Sequence, residues 1–373
     1  MNSHGIKIEK GRVSFQLEGW NVEDRNQEII SKYELVIYNT YRTRGALLLE
    51  TNQGLKLMCN CEGSENRLEF EDTLKMFLLA QGYFFVDSFV RNESGSIITA
   101  NAFGEKFIIK DWFDGEECNL KKDDKIRLAA SNLADLHRCL TGVLVEEDWR
   151  KYNVQQNLMD IFEKRTRELK RVKTYIRDRK QKNNFEVTYL SVCEEFYKDA
   201  LSATELLKEL SYDEMLKEAI NEGSICHGNY TYHNVLVLNQ SAANEELCHA
   251  AELKGCERFV ATTNYEKAVF GLQVTDLYQF IRKTMEKNDW NISIGNHILE
   301  EYQKIKPLTK KEMKLLYILL LYPEKFWKIT NFYYNNKKSW IPQKNVLKLV
   351  TLQEQMSQKS KFLQKIETLI STC

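Results

Sequence analysis

The sequence predicts an α+β fold with two lobes. The small mixed-sheet lobe, residues 1–112, has an antiparallel sheet and one helix, and the large lobe, residues 113–373, is helical. Two observations lead to this prediction. The first hundred residues consist mainly of short apolar strand patterns separated by turn residues. From Lys125 onward, apolar residues recur at helical spacing over most of the chain.

The N-terminal lobe contains strand patterns on both sides of one helix. Five strands are predicted, at residues 33–38, 46–50, 55–59, 84–90 and 106–110. Asn52–Gly54 supplies the turn between the second and third strands. The helix is predicted over Arg67–Gln81 and ends at Gly82. A turn-rich acidic crossing at Trp112–Glu117 then leads into the second lobe.

The C-terminal lobe is predicted to consist of helices interrupted by one loop-and-strand region. Helical patterns run from Ile126 to Leu140, from Leu158 to Lys182 and from Leu206 to Ile220. A short loop-and-strand region follows, and the chain is helical again from Thr275 onward.

The composition is that of a folded intracellular protein. Of the 373 residues, 43% are hydrophobic and 28% charged, which excludes a disordered chain. The 53 basic residues balance the 53 acidic ones, so neither nucleic acid nor a membrane surface is favoured as a partner. The polar start Met1–His4 is no secretory leader, and the apolar run Leu315–Leu321 is too short to span a bilayer. The nine cysteines lack paired C-x-x-C spacing and are expected to be reduced, buried thiols.

One motif carries specific chemistry. Ile225–Leu236 contains His-Gly-Asn-x-x-x-x-Asn followed by an apolar strand, which has the form of a phosphotransferase catalytic loop. In such a loop, an Asp after the Gly orients the proton of the substrate hydroxyl, and the Asn five residues later holds the metal ion of ATP. Asn234 supplies the second group, but Asn229 stands where the Asp belongs. A neutral amide cannot act as a general base.

Three blocks of the sequence together resemble CotS-type spore-coat kinase homologues of endospore-forming bacteria, in the aminoglycoside-phosphotransferase-like branch of the protein-kinase fold. The blocks are His227–Asn234, Lys110–Cys118 and Asp276–Lys283. The resemblance follows the element order over roughly the whole chain, although only these blocks are specific. It implies a sporulation protein that is made in the mother-cell cytoplasm and joins the spore coat, with other coat proteins as its partners.

The resemblance also implies a lysine on the third strand that binds the phosphates of ATP. The expected position falls near Cys59, so that a thiol would replace the ammonium group. Lys56 is the other candidate, if the register of the strand is shifted, but a shift of one position moves a side chain to the opposite face of the sheet.

The metal-binding aspartate of the family corresponds to Asn264, and Glu266 occupies the position of a second acid. An asparagine oxygen is a poorer ligand for Mg²⁺ than a carboxylate, because it brings no charge. Asn234, Asn264 and Glu266 therefore form a weakened metal site in this alignment. Changing Asn229 and Asn264 to Asp is predicted to restore metal-dependent nucleotide binding.

Three further residues have structural interpretations. His227 is expected to brace the catalytic loop from a packed, hydrogen-bonded position. Asp276 is either a helix N-cap or, by the resemblance, an anchor that accepts hydrogen bonds from the loop backbone. His137 is expected to pack in the core.

The favoured hypothesis is a pseudokinase scaffold that binds ATP and Mg²⁺ weakly or not at all. The alternatives are an active phosphotransferase acting on a small-molecule or protein hydroxyl, and a nucleotide-binding switch without turnover. The basic stretch Lys164–Lys182 is interpreted first as a solvated helix and second as a docking surface for an acidic partner.

Overall fold

The computed structural model describes residues 22–43, 45–144, 149, 153–239, 241–253, 259–335 and 343–372. The predicted absence of a leader at Met1–His4 lies outside this range. The strands are β1 (Ile37–Thr43), β2 (Ala46–Thr51), β3 (Gly54–Asn60), β4 (Phe89–Val90), β5 (Thr99–Ala100), β6 (Lys106–Asp111), β7 (Gly115–Glu117), β8 (Ile225–Cys226), β9 (Val235–Leu238), β10 (Val260–Thr262) and β11 (Val269–Phe270).

The helices, numbered in chain order over the described residues, are α1 (Val22–Ile30), α2 (Glu65–Ala80), α3 (Asp123–Cys139), α4 (Leu158–Asp178), α5 (Asn184–Glu209), α6 (Tyr212–Asn221), α7 (Ala242–Glu252), α8 (Val274–Lys287), α9 (Ile292–Gln303), α10 (Lys310–Leu321), α11 (Glu324–Asn335) and α12 (Gln343–Thr372). The predicted α+β class, with a small antiparallel sheet region followed by a mainly helical remainder, is confirmed.

The chain divides into two compact units. The first combines the described residues up to Asn119 with Tyr232–Glu266, and the second combines Leu120–Thr231 with the described residues from Lys267 onward. The segment that follows the catalytic-loop motif thus belongs to the same unit as the N-terminal sheet. The lobe boundary at residue 112 stays a prediction.

The first unit is built on an antiparallel sheet of order β1-β2-β3-β6-β4, with β5 paired to β6. The predicted turn between β2 and β3 is confirmed: Gly54 has a φ of +82°, a conformation that costs glycine little. Ser64 is the N-cap of helix α2: its side chain accepts a hydrogen bond from the Arg67 N–H, and the helix buries Leu74 and Leu78.

Three local predictions in this unit were wrong. The strand predicted at 33–38 begins only at Ile37, because Tyr33 lies in the core and its hydroxyl bonds Thr99 at 2.8 Å. The strand predicted at 84–90 is reduced to Phe89–Val90. The crossing predicted at 112–117 contains β7, which pairs with β9 in a second sheet of order β10-β9-β7.

The second unit packs helices in pairs: α3 lies against α9, α4 against α5, and α10 against α5, α8 and α12. The helix predicted at 206–220 was wrong in its bounds. A capping box of Asn183 and Glu186 starts α5 at residue 184, and Ser211, with a φ of +55°, separates α5 from α6. The predicted basic helix is confirmed as α4 but ends at Asp178, so residues 179–182 follow it.

The cysteines within the described residues are free thiols; Cys118, Cys139, Cys193 and Cys226 are buried as predicted, whereas Cys59, Cys61 and Cys248 are partly exposed. The run Leu315–Leu321 lies in α10 and is largely buried. In the part of the chain that the structure describes, no helix combines the length and the apolar composition that spanning a bilayer requires.

A largely buried carboxylate joins α8 to α11. Glu324 accepts hydrogen bonds from the Tyr278 hydroxyl at 2.6 Å and pairs with Lys328 at 2.5 Å, and the Arg282 guanidinium lies 3.8 Å away. Burial opposes the ionisation of Glu324, but Arg282 and Lys328 outweigh it and lower its pKa to about 2. Glu324 is therefore ionised at neutral pH and stabilises the contact between the two helices.

This carboxylate predicts a loss of stability in acid. Because the folded pKa of about 2 lies below the ordinary value of 4.5, the contribution is complete above pH 4.5 and falls as the pH drops toward 2. We expect urea unfolding to show a loss of about 2 kcal/mol between about pH 7 and about pH 3 that Glu324→Gln removes. Glu205→Gln, at an exposed position on α5, is the control. An unchanged acid response in Glu324→Gln would contradict the assignment.

Candidate functional site

A buried cluster of charged side chains occupies the first unit, and Asp87 is its centre. Asp87 has no solvent exposure and pairs with Lys110 at 2.8 Å and with Lys75 at 3.2 Å. Its Oδ2 also accepts the backbone N–H of Asn264 at 2.9 Å. Lys75 in turn pairs with Glu71 at 2.7 Å. Two acids and two lysines thus balance each other away from water.

The local sequence explains how these groups reach the interior. Glu71 and Lys75 lie four residues apart on α2, so they share one face of the helix. Lys75 is held further by its hydrogen bond to the Asp87 carbonyl at 2.8 Å and by the Phe89 ring, 3.8 Å from its Nζ. Lys110 comes from β6, where it is paired with Leu57 of β3.

Asp87 and Lys110 are both ionised. Burial alone would raise the pKa of Asp87, but Lys110 and Lys75 outweigh it, and the pKa is lowered. Burial likewise acts to lower the pKa of Lys110, and Asp87 and Glu71 reverse this effect, so the pKa of Lys110 is raised. The mutual pairing therefore keeps both signs of charge in a site that water does not reach.

The two predicted candidates for the phosphate lysine lie on opposite faces of the sheet. Residues paired across an antiparallel ladder point to the same face, so Lys110 shares its face with Leu57 and with Cys59 two positions on. The pKa of the Cys59 thiol is raised, mainly by burial, although the nearby Lys110 opposes the shift. Lys56 points to the other face, where it pairs with Asp111 at 2.7 Å. Cys59 is thus beside the charged cluster, and Lys56 is not.

The two predicted asparagine ligands are hydrogen-bonded to protein groups. The Nδ2 of Asn264 donates to the Oδ1 of Asn234 at 2.9 Å. The Oδ1 of Asn264 accepts a hydrogen bond from Lys110 Nζ at 2.9 Å. Asn264 itself has a φ of +64°, in the left-handed region that asparagine tolerates better than most residues. The Lys110 ammonium group therefore bonds the Asn264 oxygen, which the family resemblance assigns to a metal ion.

Glu266, the predicted second acid, lies at the exposed end of the same segment. Its backbone carbonyl accepts a hydrogen bond from the Arg67 guanidinium at 3.0 Å, which ties the segment to α2. Across the described ranges, no group of three or more His, Cys, Asp or Glu side chains is arranged to hold a metal ion.

The catalytic-loop motif begins in the second unit, where Asp276 binds its backbone. The carboxylate of Asp276 accepts the N–H of His227 at 2.6 Å and the N–H of Gly228 at 2.9 Å. Asp276 lies in the first turn of α8, but the N-cap of that helix is Gln273, and the N-cap forms no side-chain capping bond. Asp276 is thus hydrogen-bonded to the backbone of the loop and is not the N-cap of α8.

Two buried histidines form hydrogen bonds in this region, one to the loop and one to Asp276. His227 accepts the N–H of Asn229 on its Nδ1 at 3.2 Å, which fixes the turn on which Asn229 lies, half-buried. His137 lies 3.3 Å from Asp276 through Nε2 and 2.8 Å from the Tyr302 hydroxyl through Nδ1. Burial lowers the pKa of His137, so it is neutral at pH 7. Both histidines are thus hydrogen-bonded within the fold, His227 to the loop and His137 to Asp276.

The loop turn requires glycine at position 228. Gly228 has a φ of +73°, and a Cβ there would lie well inside van der Waals contact of the Lys267 carbonyl oxygen. We expect Gly228→Ala to lower the free energy of unfolding by about 2 kcal/mol or more, since the strained backbone alone costs about 1–2 kcal/mol. Gly142→Ala is the matched control, because Gly142 has a φ of +80° with no atom within 4 Å of an added Cβ. Equal losses in both variants, measured by urea unfolding, would contradict the steric argument.

The sequence prediction missed the cluster members Glu71, Lys75 and Asp87 and the part played by Lys110. One signal for the helix pair was present. Glu71 and Lys75 fall on the same face as Leu68 and Leu78, at spacings of three and four residues, so helical periodicity places two charges on a buried face. Charged side chains on an apolar face need partners and so indicate a buried network.

Comparisons with known proteins agree with this architecture. The family model described as "Spore coat putative kinase YutH" matches residues 254–366. Spore coat protein S of Bacillus subtilis (strain 168) is 21% identical over 323 residues, covering 86% of each chain. The fold is similar to that of an aminoglycoside phosphotransferase from Alicyclobacillus acidocaldarius, with a TM-score of 0.80, 16% identity and coverage of 96% of this chain and 98% of the other.

A spectinomycin phosphotransferase, solved with ADP and spectinomycin, has a TM-score of 0.60 at 11% identity and covers 90% of this chain and 98% of its own. At such identities, structural likeness establishes the fold and leaves the activity open. The resemblance predicted from the three sequence blocks is confirmed. The chain is a homologue of the kinase-like spore coat proteins, and it has the fold of the aminoglycoside phosphotransferases.

Proposed function

We propose that this chain is a pseudokinase of the spore coat, a folded scaffold for other coat proteins without phosphotransferase activity. The observation that carries the proposal is the hydrogen bond from Lys110 Nζ to the side-chain oxygen of Asn264. In an active enzyme of this fold, a carboxylate at that position holds the metal ion of ATP. In this chain, an ammonium group of the protein bonds that position.

The charges of the cluster argue against a metal ion. Asp87 and Glu71 already balance Lys75 and Lys110. A Mg²⁺ ion would add two positive charges beside two buried ammonium groups, and the oxygen of Asn264 offers no charge in return. The residues present therefore do not fit Mg²⁺, and weak or absent binding of Mg·ATP follows.

The missing general base supports the same proposal with less weight. Asn229 cannot accept a proton from a substrate hydroxyl. Phosphoryl transfer depends mainly on positioning and electrostatics, so loss of the base alone would slow the reaction rather than abolish it. The changed metal site is the stronger argument.

The coat assignment is supported by similarity to spore coat protein S over most of both chains. On this proposal the protein is made in the mother-cell cytoplasm during sporulation and binds other coat proteins. A tagged copy expressed in sporulating Bacillus subtilis should be recovered with the coat fraction. Recovery only in the soluble mother-cell fraction would contradict this part of the proposal.

The absence of activity is tested by thermal unfolding with ATP, with and without Mg²⁺, together with a phosphate-release assay. A ligand at about a hundred times its Kd would add about 2.7 kcal/mol to the stability of the folded protein, and we expect no such rise at millimolar nucleotide. A Mg²⁺-dependent rise with phosphate release, abolished by Asn234→Ala, would establish an active phosphotransferase instead. A rise without phosphate release would indicate a nucleotide-binding switch.

A further inference from the structure

A groove of about 440 Å³ lies on the second unit between α4 and α11, far along the chain from the catalytic-loop motif. Leu169, which is 1% exposed, lies at its base. Aromatic side chains line it: Trp327 and Tyr334 from α11 and Tyr175 from α4. Tyr175 is 54% exposed, so a large apolar ring faces solvent beside the groove.

The aromatic rings are held in place by their neighbours. The indole N–H of Trp327 donates to Glu168 at 2.7 Å, and the Arg165 guanidinium stacks 4.0 Å above the Trp327 ring. Tyr175 and Tyr334 pack edge to face, with ring centroids 5.6 Å apart. A ligand that enters the groove would therefore meet side chains that are already ordered, which lowers the entropy cost of binding.

Basic side chains outnumber acidic ones on the helix that forms one wall of this groove, although the whole chain is neutral. Helix α4 carries seven Lys and Arg residues against four Asp and Glu residues, a net charge of +3 from seven minus four. Arg171 lines the groove, and Lys164, seven residues earlier, is exposed on the same side of the helix, whereas Lys170 is exposed on the other side. Within the described residues, these three side chains form no ion pair, whereas Arg167 pairs with Glu163 and Lys173 with Glu194. The groove thus combines fixed aromatic rings with unneutralised basic groups.

We propose that the groove binds a short acidic segment of another protein that carries an apolar or aromatic anchor residue. The anchor enters between Tyr175 and Trp327, and the carboxylates of the segment pair with Arg171 and Lys164. A second copy of this chain would bring the same basic face to the groove, so like charges oppose self-association there. This proposal does not depend on whether the cluster around Asp87 binds nucleotide.

The test uses the purified chain and fluorescence anisotropy of three labelled probes. The first is a peptide of Asp and Glu with a central Leu-Tyr pair, the second replaces each acid by Lys, and the third is oligouridine. We expect only the acidic peptide to bind, with an affinity that falls as the salt concentration rises. No binding of this peptide at low salt, or tighter binding of oligouridine, would overturn the proposal.

Variants assign the binding to the groove. Lys164→Glu with Arg171→Glu should weaken acidic-peptide binding at least about tenfold, as should Tyr175→Ala, since ion pairs and an aromatic anchor each contribute on this scale. The matched control, Lys217→Glu with Lys365→Glu, makes the same change of charge at exposed positions on α6 and α12. All variants change exposed side chains, and unchanged melting temperatures verify the fold. Equal weakening by the control pair would overturn the assignment, as would a dimer, seen by sedimentation, that the groove variants disrupt.

Discussion

Replacement of Asp87 by alanine is expected to destabilise the folded protein by about 3–5 kcal/mol, which is the usual cost of breaking a buried ion pair by removing one partner. Asp87 is the carboxylate shared by two lysines, and Lys75 and Lys110 are 0% and 5% exposed. Without Asp87, Glu71 alone must balance two ammonium groups. The loss should appear as a lower urea midpoint for unfolding with an unchanged denaturant slope.

Two further variants give this prediction its controls. Asp72→Ala removes a carboxylate from the same unit whose partner, Arg91, is 41% exposed and also pairs with Glu69, so it should cost about 1 kcal/mol or less. Adding Lys110→Met to Asp87→Ala removes one unpaired charge and should recover part of the loss. If Asp87→Ala cost no more than Asp72→Ala, the lysines would not depend on Asp87 for their burial.

Sequence patterns predicted the strands and helices whose positions depend mainly on residues close to each other in the chain. Strands β2, β3 and β6 are short, mainly apolar runs next to turn residues, and α2 has a capped start and an apolar face, so their positions were predicted within a few residues. The strand predicted at 84–90 was wrong in its length. Its apolar residues have the composition of a strand, but Asp87 in the middle of the run pairs with Lys75 of α2 and Lys110 of β6. The spacing of apolar residues along the chain does not indicate such distant partners.

The same contrast between local patterns and distant contacts holds for the candidate site. The motif led to Asn229 and Asn234, because residue type and spacing carry that chemistry, and the family resemblance led to Asn264. The bond from Lys110 to Asn264 joins residues 154 positions apart, and strand alternation can place Lys110 on an inward face but cannot name its partner. The sequence alone therefore indicated a weakened metal site without indicating that an internal cation bonds it.

Lys110 changes the expected outcome of rebuilding the metal site. The sequence predicts that Asn229→Asp with Asn264→Asp restores metal-dependent nucleotide binding. In the structure, a carboxylate at position 264 would lie within bonding distance of Lys110 Nζ, which is 2.9 Å from the present oxygen. We therefore expect the new carboxylate to pair with Lys110, and the double variant to gain little affinity for Mg²⁺.

Removing the internal cation should give the larger effect. In Asn264→Asp with Lys110→Met, the new carboxylate and Asp87 lie close together without Lys110 between them, next to the side-chain oxygen of Asn234. Two carboxylates and an amide oxygen are the ligands that hard divalent cations prefer. We expect this variant to be less stable than the parent without metal, and to gain about 2.7 kcal/mol when Mg²⁺ or Ca²⁺ reaches about a hundred times its Kd.

The measurement is thermal unfolding across a metal titration, with Asn264→Asp alone and Lys110→Met alone as matched controls. Neither control should respond to metal, because the first keeps the ammonium group and the second lacks the new carboxylate. A metal-dependent rise in Asn264→Asp with Lys110 in place would show that the ammonium does not block the site, and the proposal of an inactive scaffold would lose its main support. A response confined to the combined variant would identify the Lys110 ammonium as the group that takes the place of the metal ion in this fold.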